Sequence, residues 1–155
     1  MKKAIMYGGG NIGRGFIAQL FYLTGYETVF IDVNQNLVDS LNKTHEYPIY
    51  ITGEKDYEKF TVKNVRAVNG NDTEAVADEI STADIMATAV GANILKFIAA
   101  PIAAGIRRRM DNGGSPLNII VCENLLDADK YLRSLIEEKT DAAAKEYLKN
   151  KIGIA

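Results

Sequence analysis

Short runs of apolar residues alternate along this chain with segments in which apolar residues recur every three or four positions. The short runs predict buried β-strands, and the spaced segments predict amphipathic helices. The predicted strands cover residues 4–7, 27–32, 65–68, 84–90 and 117–122. Because helical segments lie between these strands, the pattern predicts an α/β fold with a doubly wound, mostly parallel sheet.

The first two predicted helices begin soon after the first two strands. In the first helix, the apolar residues on one face are Ile12, Phe16, Leu20 and Leu23. Gly25 stands just past the end of this helix and is a candidate C-cap. Asn34 can cap the second helix, whose apolar residues are Leu37, Val38 and Leu41.

The middle of the chain interrupts this alternation. Residues 48–62 have the composition of two short strands joined by a turn, which predicts a β-hairpin inserted before the next core strand. Polar residues 69–72 end that strand and cap a short helix predicted from Thr73 to about Ile80.

The second half of the chain returns to strands and helices. Gly91 ends a strand, and Asn93 is placed to start a long amphipathic helix. Pro101 lies inside that helix and predicts either a kink or two helices end to end. The tail is predicted to be helical over residues 127–151, with a break near Thr140.

The glycines between the first strand and the first helix form the pattern Gly8-x-Gly10-x-x-Gly13. Gly8 permits a tight turn, Gly10 has no Cβ to block an approaching pyrophosphate, and Gly13 lets the helix pack closely on the strand. The start of the helix presents free backbone amides and a positive dipole to phosphates. With a strand before it and a helix after it, the pattern predicts a dinucleotide-binding turn.

Asp32 ends the second predicted strand, 19 positions after Gly13, against about 20 in dinucleotide-binding proteins. A carboxylate there can accept both hydroxyl protons of an adenosine ribose and would repel a 2′-phosphate. The combination predicts a Rossmann NAD-binding fold that prefers NAD to NADP and contains a small inserted hairpin. The alternative is a glycine-rich turn that binds nothing, with Asp32 capping the next helix.

Two further strand ends supply candidate site residues, because open parallel sheets bind ligands outside the carboxyl ends of their strands. The small residues Ala89–Gly91 would let the backbone lie along a cofactor, or they form a simple strand-to-helix turn. Glu123 and Asn124 are polar residues that follow an apolar strand, which is costly in a core but useful in a cleft. The Asn124 amide can donate to an oxygen that gains negative charge, or it can cap the following helix.

Composition narrows the functional classes. The length of 155 residues predicts one domain, and the net charge of −2 gives no reason to expect a nucleic-acid partner. One cysteine and one histidine make an internal disulfide impossible and a metal site unexpected. No apolar run is long enough to cross a membrane, so we expect a cytoplasmic protein with no membrane partner. The sequence does not indicate an oligomeric state.

Other chemically active side chains have simpler interpretations. Arg14 follows the glycine motif and either approaches the pyrophosphate or substrate or is an exposed helix charge. Cys122 is expected to be an inert thiol in a buried strand, and His45 a surface residue. The three arginines at 107–109 are expected to complement the dipole at a helix C-terminus rather than to bind nucleic acid.

Four segments resemble the mannitol-1-phosphate 5-dehydrogenases, a family within the polyol-specific long-chain dehydrogenases. They are residues 7–16, 32–34, 88–91 and 115–124, and the resemblance covers nearly the whole chain. It implies an N-terminal NAD-binding domain and a helical C-terminal domain that supplies most of the substrate site, for interconversion of mannitol 1-phosphate and fructose 6-phosphate. The implied cofactor contacts are Gly8, Gly9, Gly10, Asn11, Ile12, Gly13, Asp32, Val33, Asn34, Ala89, Val90, Gly91, Glu123 and Asn124.

The resemblance also assigns a catalytic role to Asn124, as part of an oxyanion hole. The family's catalytic lysine lies in the C-terminal domain, so we expect residues 1–155 to be the cofactor domain and no lysine here to act as the base. Two alternatives remain open: a sister dehydrogenase acting on mannitol, altronate or fructuronate, and a stand-alone NAD(H)-binding module without catalysis.

Overall fold

The computed structural model describes residues 1–155 and has eight strands and six α-helices. The strands are β1 (Lys3–Tyr7), β2 (Glu27–Asp32), β3 (Glu46–Thr52), β4 (Tyr57–Lys63), β5 (Val65–Asn69), β6 (Ile85–Thr88), β7 (Leu117–Val121) and β8 (Ile152–Ile154). The helices are α1 (Ala18–Leu23), α2 (Gln35–Thr44), α3 (Thr73–Ser81), α4 (Leu95–Asp111), α5 (Ala128–Glu138) and α6 (Ala142–Lys151). A π-helical turn, Gly13–Ile17, leads directly into α1.

Six strands form one parallel sheet in the order β5-β2-β1-β6-β7-β8. Strand order reverses between β1 and β6, which is where open α/β sheets form their ligand crevice. Strands β3 and β4 form a separate antiparallel pair. The doubly wound sheet and the inserted hairpin predicted from the sequence are therefore confirmed.

The two faces of the sheet are covered by different helices. On one face, β1, β2, β6 and β7 pack against α3 to α6 through residues such as Ile5, Met86 and Ile102. On the other face, α1, α2 and the hairpin pack on Met6 and Phe30. No helix is long and apolar enough to span a bilayer.

The first helix is turned differently from what its apolar pattern indicates. The four residues Ile12, Phe16, Leu20 and Leu23 are 47–60% exposed, while Ala18 and Phe21 are buried. A Cβ on Gly13 would lie 2.3 Å from the carbonyl oxygen of Gly8. The motif therefore sets which side of the helix can lie against the sheet, and the larger apolar residues are left on the outside.

Strand β7 is buried on one face only. Leu117 and Ile119 are buried, whereas Asn118 is exposed and Ile120 is 42% exposed. The prediction of a strand buried throughout was wrong at these two positions, because α1, α2 and the hairpin pack on β1, β2, β5 and β6 and leave this face of β7 uncovered.

Two details of α4 also differ from the sequence prediction. The helix begins at Leu95 with no side-chain cap, so Asn93 does not start it. Pro101 lies inside one continuous helix rather than between two, where its nitrogen has no hydrogen to donate to the helical ladder.

The arginines at 107–109 do more than complement a dipole. Arg107 and Arg108 form ion pairs with acidic residues of other segments, while Arg109 is 2% exposed. Arg109 donates to the carbonyl oxygens of Ile80, Ser81, Ala83, Ser115 and Pro116. Successive helix residues point about 100° apart, and Arg109 falls on the side of α4 that faces the core, where it ties the end of α3 to the loop before β7.

Candidate functional site

The predicted site residues lie at the carboxyl ends of four neighbouring strands. The glycine turn follows β1, Asp32 ends β2, Ala89 follows β6, and Glu123 follows β7. Since these strands are adjacent and parallel in the sheet, the structure brings all four segments to one edge, at the reversal of strand order.

The glycines of the turn occupy different environments. Gly8 has φ +107°, and a Cβ there would lie 2.3 Å from the carbonyl oxygen of Ala89. Gly9 lies against Leu37 and Asp32. A Cβ on Gly9 would be 2.6 Å from Leu37 Cδ2 and 3.3 Å from Asp32 Oδ2. A Cβ on Gly10 would have no atom within 4 Å. Gly8 and Gly13 are thus required by the chain itself because the obstacles are backbone atoms, at Gly9 the nearest atom is the tip of a leucine side chain, and the space in front of Gly10 is open.

The amides that follow Gly9 are free to bind a ligand. Arg14 N donates to Gly10 O at 2.9 Å and starts the helical ladder, and the amides of Gly10, Asn11 and Ile12 have no acceptor in the chain. These three residues are exposed. Unpaired amides at the start of a helix form an anion-binding site.

Asp32 joins the glycine turn to the start of α2. Its Oδ2 accepts from Gly9 N at 2.8 Å, and its Oδ1 accepts from Asn34 N at 2.8 Å. A carboxylate has about four lone-pair sites, so each oxygen keeps one for a hydroxyl donor. Asn34 caps α2 by accepting from Leu37 N, as predicted, and Asp32 does not cap the helix.

The segment after β6 is fixed at both ends. Ala89 N donates to Tyr7 O at 2.8 Å. The Glu123 carboxylate accepts from Val90 N at 2.7 Å through Oε1 and from Gly91 N at 2.8 Å through Oε2. Sequence reasoning missed this bridge between the ends of β6 and β7, because nothing in the local pattern shows which backbone a side chain will reach.

Asn124 is exposed, and its side chain makes no hydrogen bond within the chain. Helix α5 begins four residues later, after Asp127, with no side-chain cap. The alternative in which Asn124 caps this helix is therefore wrong, and the amide is available at the edge of the crevice.

The structure also shows what surrounds the remaining candidate residues, Arg14, Cys122 and His45. Arg14 is half-buried, with its Nε buried and unpaired, and Tyr47 of the hairpin donates to Arg14 O at 2.7 Å. This long-range hydrogen bond anchors the π-helical turn, and nothing in the sequence predicted it.

Burial, together with the charge of Glu123, raises the pKa of the Cys122 thiol, which disfavours the nucleophilic thiolate. His45 is exposed, and no group of three metal-ligating side chains is present.

Comparison with curated proteins identifies relatives over nearly the whole chain. The mannitol-1-phosphate 5-dehydrogenase of Pyrenophora tritici-repentis is 42% identical, and the match covers 99% of this chain and 39% of that protein. The enzyme of the same name from Talaromyces marneffei is 48% identical over 90% of this chain and 36% of its own length. The chain thus spans about two fifths of the length of these relatives.

Solved structures share the fold. A Pseudomonas fluorescens mannitol 2-dehydrogenase, in a ternary complex with NAD and D-mannitol, superposes with a TM-score of 0.82 at 13% identity, covering 98% of this chain and 40% of that one. A D-sorbitol dehydrogenase superposes with a TM-score of 0.78 at 14% identity, covering 97% and 40%. The family model of the mannitol dehydrogenase Rossmann domain matches residues 2–155. This chain belongs to the mannitol dehydrogenase family.

Proposed function

We propose that this chain is the NAD-binding domain of a mannitol-1-phosphate 5-dehydrogenase. The observation that supports this most is the open space before Gly10, which adjoins three free amides, while the Asp32 carboxylate is hydrogen-bonded to the preceding residue, Gly9. The residues fit a dinucleotide, because a pyrophosphate needs both amide donors and an approach without a Cβ. The substrate pair, mannitol 1-phosphate and fructose 6-phosphate, is proposed from the names of the curated relatives.

Each strand end has a proposed role in holding the cofactor. The turn from Gly8 to Gly13, with Asn11 and Ile12, binds the pyrophosphate. Asp32 accepts from the ribose hydroxyls, with Val33 and Asn34 beside it. Ala89, Val90 and Gly91, together with Asn124, line the path of the other half of the dinucleotide, because β6 and β7 lie on that side of β1. Glu123 belongs to the same site through its hydrogen bonds to Val90 and Gly91.

A bound NAD would supply the acceptor for the hydride that leaves the alcohol carbon of the substrate. Asn124 is proposed to donate a hydrogen bond to the substrate oxygen as negative charge develops on it. An amide cannot accept the hydroxyl proton. We therefore propose that the general base and the polyol-phosphate site belong to a further domain of a longer enzyme, placed in the cytoplasm.

Two measurements test this proposal. Calorimetric titration of the purified chain with NADH should give one binding site, and an absence of binding would refute the cofactor role. A longer polypeptide that contains this chain should oxidise mannitol 1-phosphate in preference to mannitol, altronate or fructuronate. A preference for mannitol, altronate or fructuronate would instead assign the protein to one of the sister dehydrogenases.

A further inference from the structure

Glu123 occupies a bridging position between two strand ends. Its two carboxylate oxygens are 2.7 and 2.8 Å from the amides of Val90 and Gly91, and the hydroxyl of the buried Thr88 lies 3.4 Å from Oε1. Both of its oxygens are thus used by the backbone and hydroxyl of one short segment, residues 88–91. Hydrogen bonds to a charged acceptor are among the stronger ones in proteins.

The segment depends on this carboxylate for its shape. Ala89 N donates a hydrogen bond to Tyr7 O. The carbonyl oxygen of Ala89 lies so close to Gly8 that a Cβ there would be 2.3 Å from it. The amides of Val90 and Gly91 have no acceptor other than Glu123. Gly91 has φ +97°, and it is exposed. Without the carboxylate, these two adjacent amides would have only solvent as an acceptor, whereas Thr88 would stay anchored, because its carbonyl oxygen accepts from Cys122 N at 2.9 Å.

The order of the strands places this segment on one half of the proposed ligand. If Asp32 at β2 holds the adenosine ribose and the turn after β1 holds the pyrophosphate, the nicotinamide half extends over β6 and β7. We infer that Glu123 is a positioning residue for the nicotinamide half, acting through the backbone of Val90 and Gly91 and not as a direct ligand. This inference rests on the proposed NAD site.

The test compares two ligands on one variant. Glu123→Gln keeps one carbonyl oxygen but turns an amide donor toward a backbone donor, so it breaks one of the two bonds. NADH should bind roughly tenfold more weakly, the order expected for one lost charged hydrogen bond, whereas ADP should bind within about twofold of the original chain because it ends at the pyrophosphate. Hydrogen exchange at Val90 and Gly91 should become faster in the free protein. Glu138→Gln, at an exposed carboxylate on α5, is the matched control and should change none of these.

Each outcome has one meaning. Equal weakening of NADH and ADP would show a general structural role and overturn the inference. Weaker NADH binding with unchanged exchange at Val90 and Gly91 would also overturn it, because Glu123 would then be a direct ligand. Unchanged binding of both NADH and ADP would overturn the inference as well. If the original chain binds neither NADH nor ADP, the proposed function fails first and this inference fails with it.

Discussion

Single residues of the glycine turn serve two separate needs. Gly8 and Gly13 are required for folding, because a Cβ at either position would lie 2.3 Å from a backbone oxygen. Gly10 faces open space, so its lack of a side chain has no structural explanation within the chain, in keeping with the pyrophosphate site proposed there. The sequence motif predicts all three glycines, but only the structure separates their roles.

Substitution at two of these glycines should separate binding from stability. Gly10→Val should abolish NADH binding and change the free energy of unfolding by no more than about 0.5 kcal/mol, as for other open positions. Gly13→Ala should destabilise the fold by about 1–3 kcal/mol or more, since the added methyl overlaps Gly8 O. Urea denaturation and NADH titration of both variants provide the check. Tight binding by Gly10→Val would place the phosphates elsewhere.

At the scale of elements, the sequence predicts which segments are strands and helices better than which way they face. Hydrophobic spacing located the sheet strands up to β7 and the hairpin, and Asn34 was identified correctly as a cap. The same spacing failed for the first helix, because close packing at Gly13 fixes the rotation of the helix regardless of where its larger apolar residues lie. The bridge from Glu123 to Val90 and Gly91 was equally invisible, since it joins residues more than thirty positions apart.

The orientation of the first helix predicts opposite results at two adjacent positions. Leu20 is 47% exposed and Phe21 is 7% exposed. Leu20→Gln should change the free energy of unfolding by less than about 0.5 kcal/mol, whereas Phe21→Ala should cost about 3–5 kcal/mol. Denaturant unfolding of the two variants measures both. A large loss at Leu20 would mean that the apolar face is buried after all.

At the scale of the whole molecule, a network of ion pairs connects three strands of the sheet, β1, β2 and β5, with helix α3. Lys3 of β1 and Arg66 of β5 both contact Glu79 of α3, and Arg66 also contacts Glu27 of β2. Burial alone would raise the pKa of the Glu79 carboxyl, but hydrogen bonds from Arg66 and Lys3 outweigh burial and hold that pKa below its ordinary value of 4.5.

A lowered folded-state pKa fixes the sign of the pH dependence. The contribution of Glu79 to stability is present above about pH 4.5, the ordinary value, and is lost as the pH falls through the lower folded pKa. Glu79→Gln should therefore lower the free energy of unfolding by about 2 kcal/mol at neutral pH and flatten the acid side of the stability profile. Glu138→Gln, at an exposed carboxylate of α5, serves as the control. Parallel profiles for Glu79→Gln and the original chain would rule out the network as a source of acid sensitivity.

The 155-residue chain by itself should not oxidise mannitol 1-phosphate, even with saturating NAD. Hydride transfer from an alcohol needs a base for the hydroxyl proton. Asn124 cannot accept it, the Glu123 carboxylate is directed at the amides of Val90 and Gly91, and the pKa of the Cys122 thiol is raised. NADH absorbance, followed with protein whose NAD binding has been verified, is the readout. Steady turnover would place the base within this chain.

The most direct test of the account is the relative affinity of the unmodified chain for NADH and NADPH, measured by titration calorimetry. Asp32 lies beside the free amides of the glycine turn, and Asp32-Val33-Asn34 contains no arginine to pair with a 2′-phosphate. Repulsion of about 1–4 kcal/mol between like charges at contact predicts that NADH binds at least several-fold more tightly. Equal or tighter binding of NADPH would contradict the assignment of Asp32 to the ribose and, with it, the proposed site.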